Sequence, residues 1–252
     1  MSEKVTFVTA SLGRWHESTG IAAIERTLVP TSDAYTYIPA PPPRSPFRYR
    51  AQVPRPVELA EMRRDARVEY HVRYLQRHGP PSRIAKVGTI LGRVLAGVEG
   101  DAIVLVDVTA VGMGAFAKIL QATTDAATRR RPYSAAAVNI SGIAGGVSRS
   151  ADGAHIVPRR DLISEAQTAF DLERLRVAEG LPLVGTFRGE LLAFSETKAT
   201  RNPDSLEGWR EGPADDLVLS VALAVWAGER FLSSPDYVVL PERLSPQGAN
   251  GA

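Results

Sequence analysis

Ala102-Ile103-Val104-Leu105-Val106-Asp107 is a continuous apolar run that ends in an acid. A strand with one wet face alternates apolar and polar residues. An uninterrupted run suits a central strand covered on both faces. This one stretch therefore points to an α/β sheet with helices on both sides. It also puts Asp107 where the strand runs out, and in open α/β sheets ligands bind beyond the carboxyl ends of the strands. Two roles are open to that acid. It can serve a site, or it can cap the following turn through Thr109 or a backbone N–H.

Working outward, Val5 to Ala10 reads as a strand, a turn follows around Gly13 to Gly20, and Ile21 to Thr27 reads as its hairpin partner. The segment from Pro30 to Pro56 is rich in proline, with Pro39, Pro41, Pro42 and Pro43 close together. It is expected to be an extended surface excursion outside the core. Val68 to Gln76 alternates as a third strand, with Val72 and Tyr74 on one face. Ile84 to Leu95 carries helical spacing (Ile84, Val87, Leu91, Val94, Leu95). Beyond the central strand, a helix is expected over Gly112 to Gln121 and a small-residue strand over Ser134 to Ile140. A glycine-rich loop over Gly142 to Gly153 leads to a strand over His155 to Val157. Helices are then expected over about Arg160 to Leu172 and Thr186 to Ser195.

The second informative block is Trp209-Arg210-Glu211-Gly212-Pro213-Ala214-Asp215-Asp216-Leu217-Val218-Leu219-Ser220-Val221-Ala222-Leu223-Ala224-Val225-Trp226. From Asp215 it reads as a final helix that is apolar nearly all round, and such a helix must be buried. Its first turn carries two carboxylates to the rim of the core. Acids gain from the positive end of a helix, but burial requires a partner, most economically a cation. Neighbouring helical positions differ in direction by about 100°, so Asp215 and Asp216 cannot do the same work. One of them serves as the N-cap if the other points inward.

With 252 residues the chain can bury a substantial core, and one domain is the expected count: residues 1–232, with a proline-rich insert over 30–60 and a loosely packed tail over 233–252. No apolar run approaches the ~20 residues needed to span a bilayer, so no membrane role is expected. The chain has no cysteine, which excludes disulfides and thiolate metal sites. With no signal peptide at its start, a cytoplasmic location is expected. Formal net charge is only +2, but arginines cluster at Arg63-Arg64 with Arg67, at Arg129 to Arg131, and at Arg159-Arg160. Clusters of this kind form phosphate-facing patches even on a nearly neutral protein, although any one of them alone is an ordinary solvated face.

Among alternatives, Gly112-Met113-Gly114-Ala115-Phe116-Ala117 fits a dinucleotide fingerprint of the form G-x-G-x-x-A. It stands too far from the strand end, and the next strand closes on Val138-Asn139-Ile140 without a ribose-binding acid. A nucleotide-dependent oxidoreductase is therefore the weakest reading. His16, His71, His78 and His155 lack zinc-ligand spacing, and neither a phosphate-binding P-loop nor a G-x-S-x-G elbow occurs.

Taken in order, several segments resemble the C-terminal nuclease domain of phage terminase large subunits, the DNA-packaging proteins. They are Gly20 to Thr27, Tyr70 to Arg77, Val106 to Gly112, Pro158-Arg159-Arg160-Asp161-Leu162 and the Trp209 to Trp226 block. The resemblance implies a ribonuclease H-like fold, a mixed five-stranded sheet with helices on both faces. It implies a site with one acid from the end of the first strand, one from the end of the fourth and one from the last helix. Carried over, the second acid is Asp107 and the third lies in Asp215-Asp216. Such a site would hold Mg²⁺ or Mn²⁺, as a two-ion centre that cuts double-stranded DNA during genome packaging. Arg159, Arg160 and Lys198 would contact phosphate, and a separate packaging ATPase or portal would be a partner. The chain departs from the pattern at the first acid. The family places Asp before Leu-Gly, and here Ser11 precedes Leu12-Gly13. It departs again at Ala214, where the family tends to have His. Ser11 is a poor replacement for a bridging carboxylate, with Glu17 and Glu211 as candidate substitutes. The resemblance thus supports two functions, an active endonuclease or a catalytically degenerate nuclease fold that keeps a DNA-binding or assembly role.

Overall fold

The computed structural model describes residues 4–13, 18–38, 61–80, 83–127, 133–142, 147–200, 215–233 and 243–244. The first strand is β1 (Lys4–Ser11), followed by β2 (Thr19–Ile38), β3 (Glu61–His78), α1 (Ile84–Ala96) and β4 (Asp101–Asp107). Next come α2 (Gly112–Ala126), β5 (Tyr133–Ser141), β6 (Ser148–Arg149), β7 (His155–Pro158), α3 (Arg159–Asp171) and β8 (Leu175–Val177). The described chain closes with α4 (Val184–Thr200), α5 (Asp216–Ser233) and β9 (Arg243–Leu244). By contacts it divides into two units, one of Met1–Thr27 with Tyr70–Ala252 and one of Leu28–Glu69.

The strands form one mixed sheet in the order β6-β7-β5-β4-β1-β2-β3-β8, with β9 paired to β5. β1 runs antiparallel to β2 and parallel to β4. β4 runs parallel to β5, and β5 parallel to β7. The fold is thus α/β, as the β4 run required. Residues 102 to 107 are all buried.

Side chains alternate across the sheet. Val8, Ala10, Ala102, Val104, Val106, Ala135 and Ala137 face one way, into a core with Val87, Leu91 and Leu95 of α1 and Ile119 of α2. The opposite set includes Phe7, Thr9, Ile103, Leu105 and Val138, and α5 covers it: the Thr9 hydroxyl donates to the Ser220 carbonyl at 2.8 Å. The all-apolar helix is buried as its composition demands, from Asp216 through Gly228.

The structure differs from expectation in three places. β2 continues through Pro30 to Ile38, where an excursion was expected. Its register with β1 runs out at Lys4↔Thr27, so the N–H that Pro30 lacks costs no bond to β1. Residues 39–60 lie outside the described residues. The expected loose tail contributes β9, which pairs antiparallel with Tyr133 and Ser134. The sheet has more strands than the expected five; β6, β8 and β9 are each two or three residues long, too short for any periodicity to show. Within the unit Leu28–Glu69, the Arg67 Nε donates to Glu69 at 2.8 Å.

Candidate functional site at the carboxyl edge of the sheet

Parallel β1 and β4 end side by side, and Ser11 is the register partner of Asp107. Both lie on the face that α5 covers. The Ser11 hydroxyl points to Asp107 Oδ2 at 3.5 Å, the outer limit of a hydrogen bond. Asp107 Oδ1 is better served: it accepts from the Thr109 N–H at 2.9 Å and from the Thr109 hydroxyl. That hydroxyl in turn accepts from the Ile140 N–H at 2.6 Å, which ties the β4 turn to β5. Asp107 therefore does cap its turn, with one oxygen, and turns the other toward Ser11. It is 5% exposed. Burial pushes its carboxyl up to about 6, against the hydrogen bonds of Thr109 and Ser11 and the charge of Arg159, all of which pull it down.

The head of α5 is brought to this edge by a close backbone approach. A Cβ on Gly20 would stand 2.3 Å from the Asp216 carbonyl oxygen and 2.9 Å from the Leu217 nitrogen. Only glycine admits the helix this near to β2. Ser220, the one polar residue in the apolar run, completes the join. Its hydroxyl accepts from the Ser11 N–H at 3.2 Å and shares its proton between the carbonyls of Gly20 at 2.9 Å and Asp216 at 2.8 Å.

Asp215 and Asp216 then diverge, as neighbours at a helix start must. Asp216 receives a two-pronged bond from Arg77 of β3, Nε to Oδ2 at 3.1 Å and Nη2 to Oδ1 at 2.8 Å, and a bond from the Ser18 hydroxyl at 3.1 Å. Arg77 also pairs with Glu190 of α4. Glu190 Oε2 in turn accepts from the N–H groups of Leu217 and Val218 at 3.1 and 3.2 Å, capping α5 from another helix. Asp215 takes a different cation, Arg159, the first residue of α3. Burial raises the Asp215 carboxyl, while the Arg159 charge and hydrogen bond oppose that rise. Among the described residues, Arg159 is the cation whose charge acts on both Asp107 and Asp215.

Of the expected phosphate contacts, Arg159 is engaged with Asp215, whereas Arg160 is exposed and pairs only loosely with Asp161 at 3.4 Å. Lys198 lies on α4, its side chain outside the described residues, as are Glu17, Glu211 and Arg129 to Arg131. In the Gly112 loop, Gly112 has φ of +72° and opens α2. Its N–H bonds to the Val108 carbonyl at 2.7 Å.

Does this donor set suit the two-ion centre that the family resemblance implies? Asp215 pairs with Arg159, whose charge also reaches Asp107, but the first-strand member is a hydroxyl and Asp216 is committed to Arg77. Among the described residues, no group of three His, Asp or Glu side chains is arranged to hold a metal. The set as it stands does not fit a two-ion centre. No helix among the described residues is long and apolar enough to cross a membrane.

Sequence reasoning reached Asp107, the Asp215-Asp216 pair and Ser11. It missed Arg77 and Glu190, which lie 139 and 27 residues from their partners on α5 and carry no local pattern. Ser220 did carry a signal, since a lone hydroxyl in an apolar helix needs a buried partner. Comparison of the chain with protein-family models, with curated proteins and with solved structures finds no match.

Proposed function

We propose that the chain is a ribonuclease H-like relative of the terminase nuclease domain, one that binds double-stranded DNA as a non-cutting component of a phage packaging complex. What supports this reading is one juxtaposition: the ends of the first and fourth strands and the head of the last helix share one edge, with Ser11 and Arg159 standing among the two acids. A nuclease of this type needs three carboxylates around divalent ions. Here a hydroxyl and a guanidinium take the places of one acid and of the positive charge. Arg160, exposed beside this edge, is the candidate phosphate contact, and a separate ATPase or portal is the expected partner.

A second reading, the metal-dependent endonuclease using Mg²⁺ or Mn²⁺, is favoured by the presence of Asp107 and Asp215 at one sheet edge, both under the charge of Arg159. One pair of experiments separates the two. Fluorescence anisotropy with duplex DNA is expected to show binding that weakens linearly as log salt rises. Supercoiled plasmid with Mn²⁺ is expected to stay intact. Nicking that Asp107→Asn abolishes would establish the endonuclease instead. Absence of any duplex binding at low salt would remove both readings.

A further inference from the structure

The acids at this edge already own a cation, and it is part of the chain. Arg159 is fixed by its place: β7 pairs in parallel with β5, ends at Pro158, and delivers Arg159 as the first residue of α3 at the carboxyl edge. There it pairs with Asp215 and lies within electrostatic reach of Asp107. Its side chain is 18% exposed and that of Asp215 26% exposed, so this is a largely desolvated pair. An ammonium or a metal aquo ion would be a different solution to the same problem. A guanidinium has five donors in a planar fork and stays charged at every working pH.

We propose that Arg159 is the resident cation of this site, paired with Asp215 where a divalent ion would otherwise sit, within electrostatic reach of Asp107, and keeping such ions out. This inference rests on the choice of site made above and deepens it by assigning the site's charge balance to one residue. The physical argument is exclusion. A carboxylate bound to a guanidinium gains little by exchanging it for a hydrated ion, and a divalent ion beside an undisplaced arginine meets like-charge repulsion. With the guanidinium gone, the desolvated Asp215 and Asp107 carboxylates both lose its charge, and a hard cation with oxygen ligands is the economical remedy. Ser11 Oγ, at 3.5 Å from Asp107, would then be a further neutral oxygen for it.

The test is Mn²⁺ titration without DNA, so that it fails or succeeds independently of the DNA-binding reading. Thermal unfolding and calorimetry are run on the wild-type chain, Arg159→Gln, and Arg159→Gln with Asp107→Asn, in 0 to 10-fold excess of MnCl₂. Wild type is expected to show no Mn²⁺-dependent rise in Tm. Arg159→Gln is expected to melt lower without metal, and to recover on adding Mn²⁺ with one ion bound per chain. The double variant is expected to melt higher than Arg159→Gln without metal and to lose the response to Mn²⁺. If Arg159→Gln does not fold alone, its refolding yield with and without Mn²⁺ is the readout, and an Mn²⁺-dependent recovery counts as support. Binding of Mn²⁺ by the wild type that Asp107→Asn abolishes would overturn the proposal. So would an Arg159→Gln protein indifferent to Mn²⁺.

Discussion

Asp215 and Asp216 are chemically identical neighbours, yet they sit in opposite kinds of surroundings. Asp216 belongs to a closed network: Arg77 from β3 and the Ser18 hydroxyl donate to it, while Glu190 from α4 shares that arginine and caps two N–H groups of the same helix. Asp215 belongs to an open one, with a single guanidinium shared electrostatically with Asp107 and a hydroxyl where a third acid is expected. The first arrangement joins three elements and fixes where α5 begins. The second leaves ligand atoms at a sheet edge. Helix geometry makes the division unavoidable, because adjacent residues at a helix start point about 100° apart. A paired-acid motif therefore supplies one anchor and one acid left at the open edge, not two equivalent groups.

The contrast breaks most readily on the closed side. Arg77→Met is expected to leave Asp216 and Glu190 buried without their cation, costing about 3–5 kcal/mol in chemical denaturation. A loss below about 1 kcal/mol would show that the network is not what holds α5. Next in size, Gly20→Ala forces a Cβ against the backbone of Asp216, which cannot swing aside as a side chain can. A loss of about 3 kcal/mol is expected. Gly114→Ala, with open space around it, is the control and is expected to be neutral or mildly stabilising.

The open side responds with the opposite sign. The Asp107 carboxyl titrates at about 6 in the folded chain against an ordinary 3.8, so the folded state holds the proton more tightly than the unfolded one. Its contribution favours folding below pH 4 and is lost as pH rises through 6. Asp107→Asn keeps an acceptor for Thr109 and never ionises. It is expected to stabilise the chain by on the order of 2 kcal/mol at pH 7.5 and by nothing at pH 4. A pH-independent effect would break the comparison. Smallest is Arg160→Ala, expected to leave stability within about 0.5 kcal/mol while lowering the log-log salt slope of DNA binding by about 1. An unchanged slope would remove Arg160 from the interface.

Much of the fold was legible because its signals are local. The β4 run, the spacing of Ile84 to Leu95 and the apolar Leu217 to Trp226 segment each announce burial within a dozen residues, and the observed elements match them closely. The passage of β2 through Pro30 was not legible. Proline is penalised only where a neighbouring strand needs its N–H, and register alone reveals that none from β1 does. Nor was the trans cap from Glu190, since nothing in its own helix marks a carboxylate that will serve another one.

By itself the amino-acid order determined which segments must be buried and which acids must therefore find partners, because solvation cost depends on residue type and pattern. Which partner each acid takes was settled only in three dimensions. Register places Ser11 beside Asp107, a glycine lets α5 touch β2, and the direct junction of β7 with α3 carries Arg159 to Asp215. Ion pairing is a matter of distance, and chain separation says nothing about distance until the strands have paired.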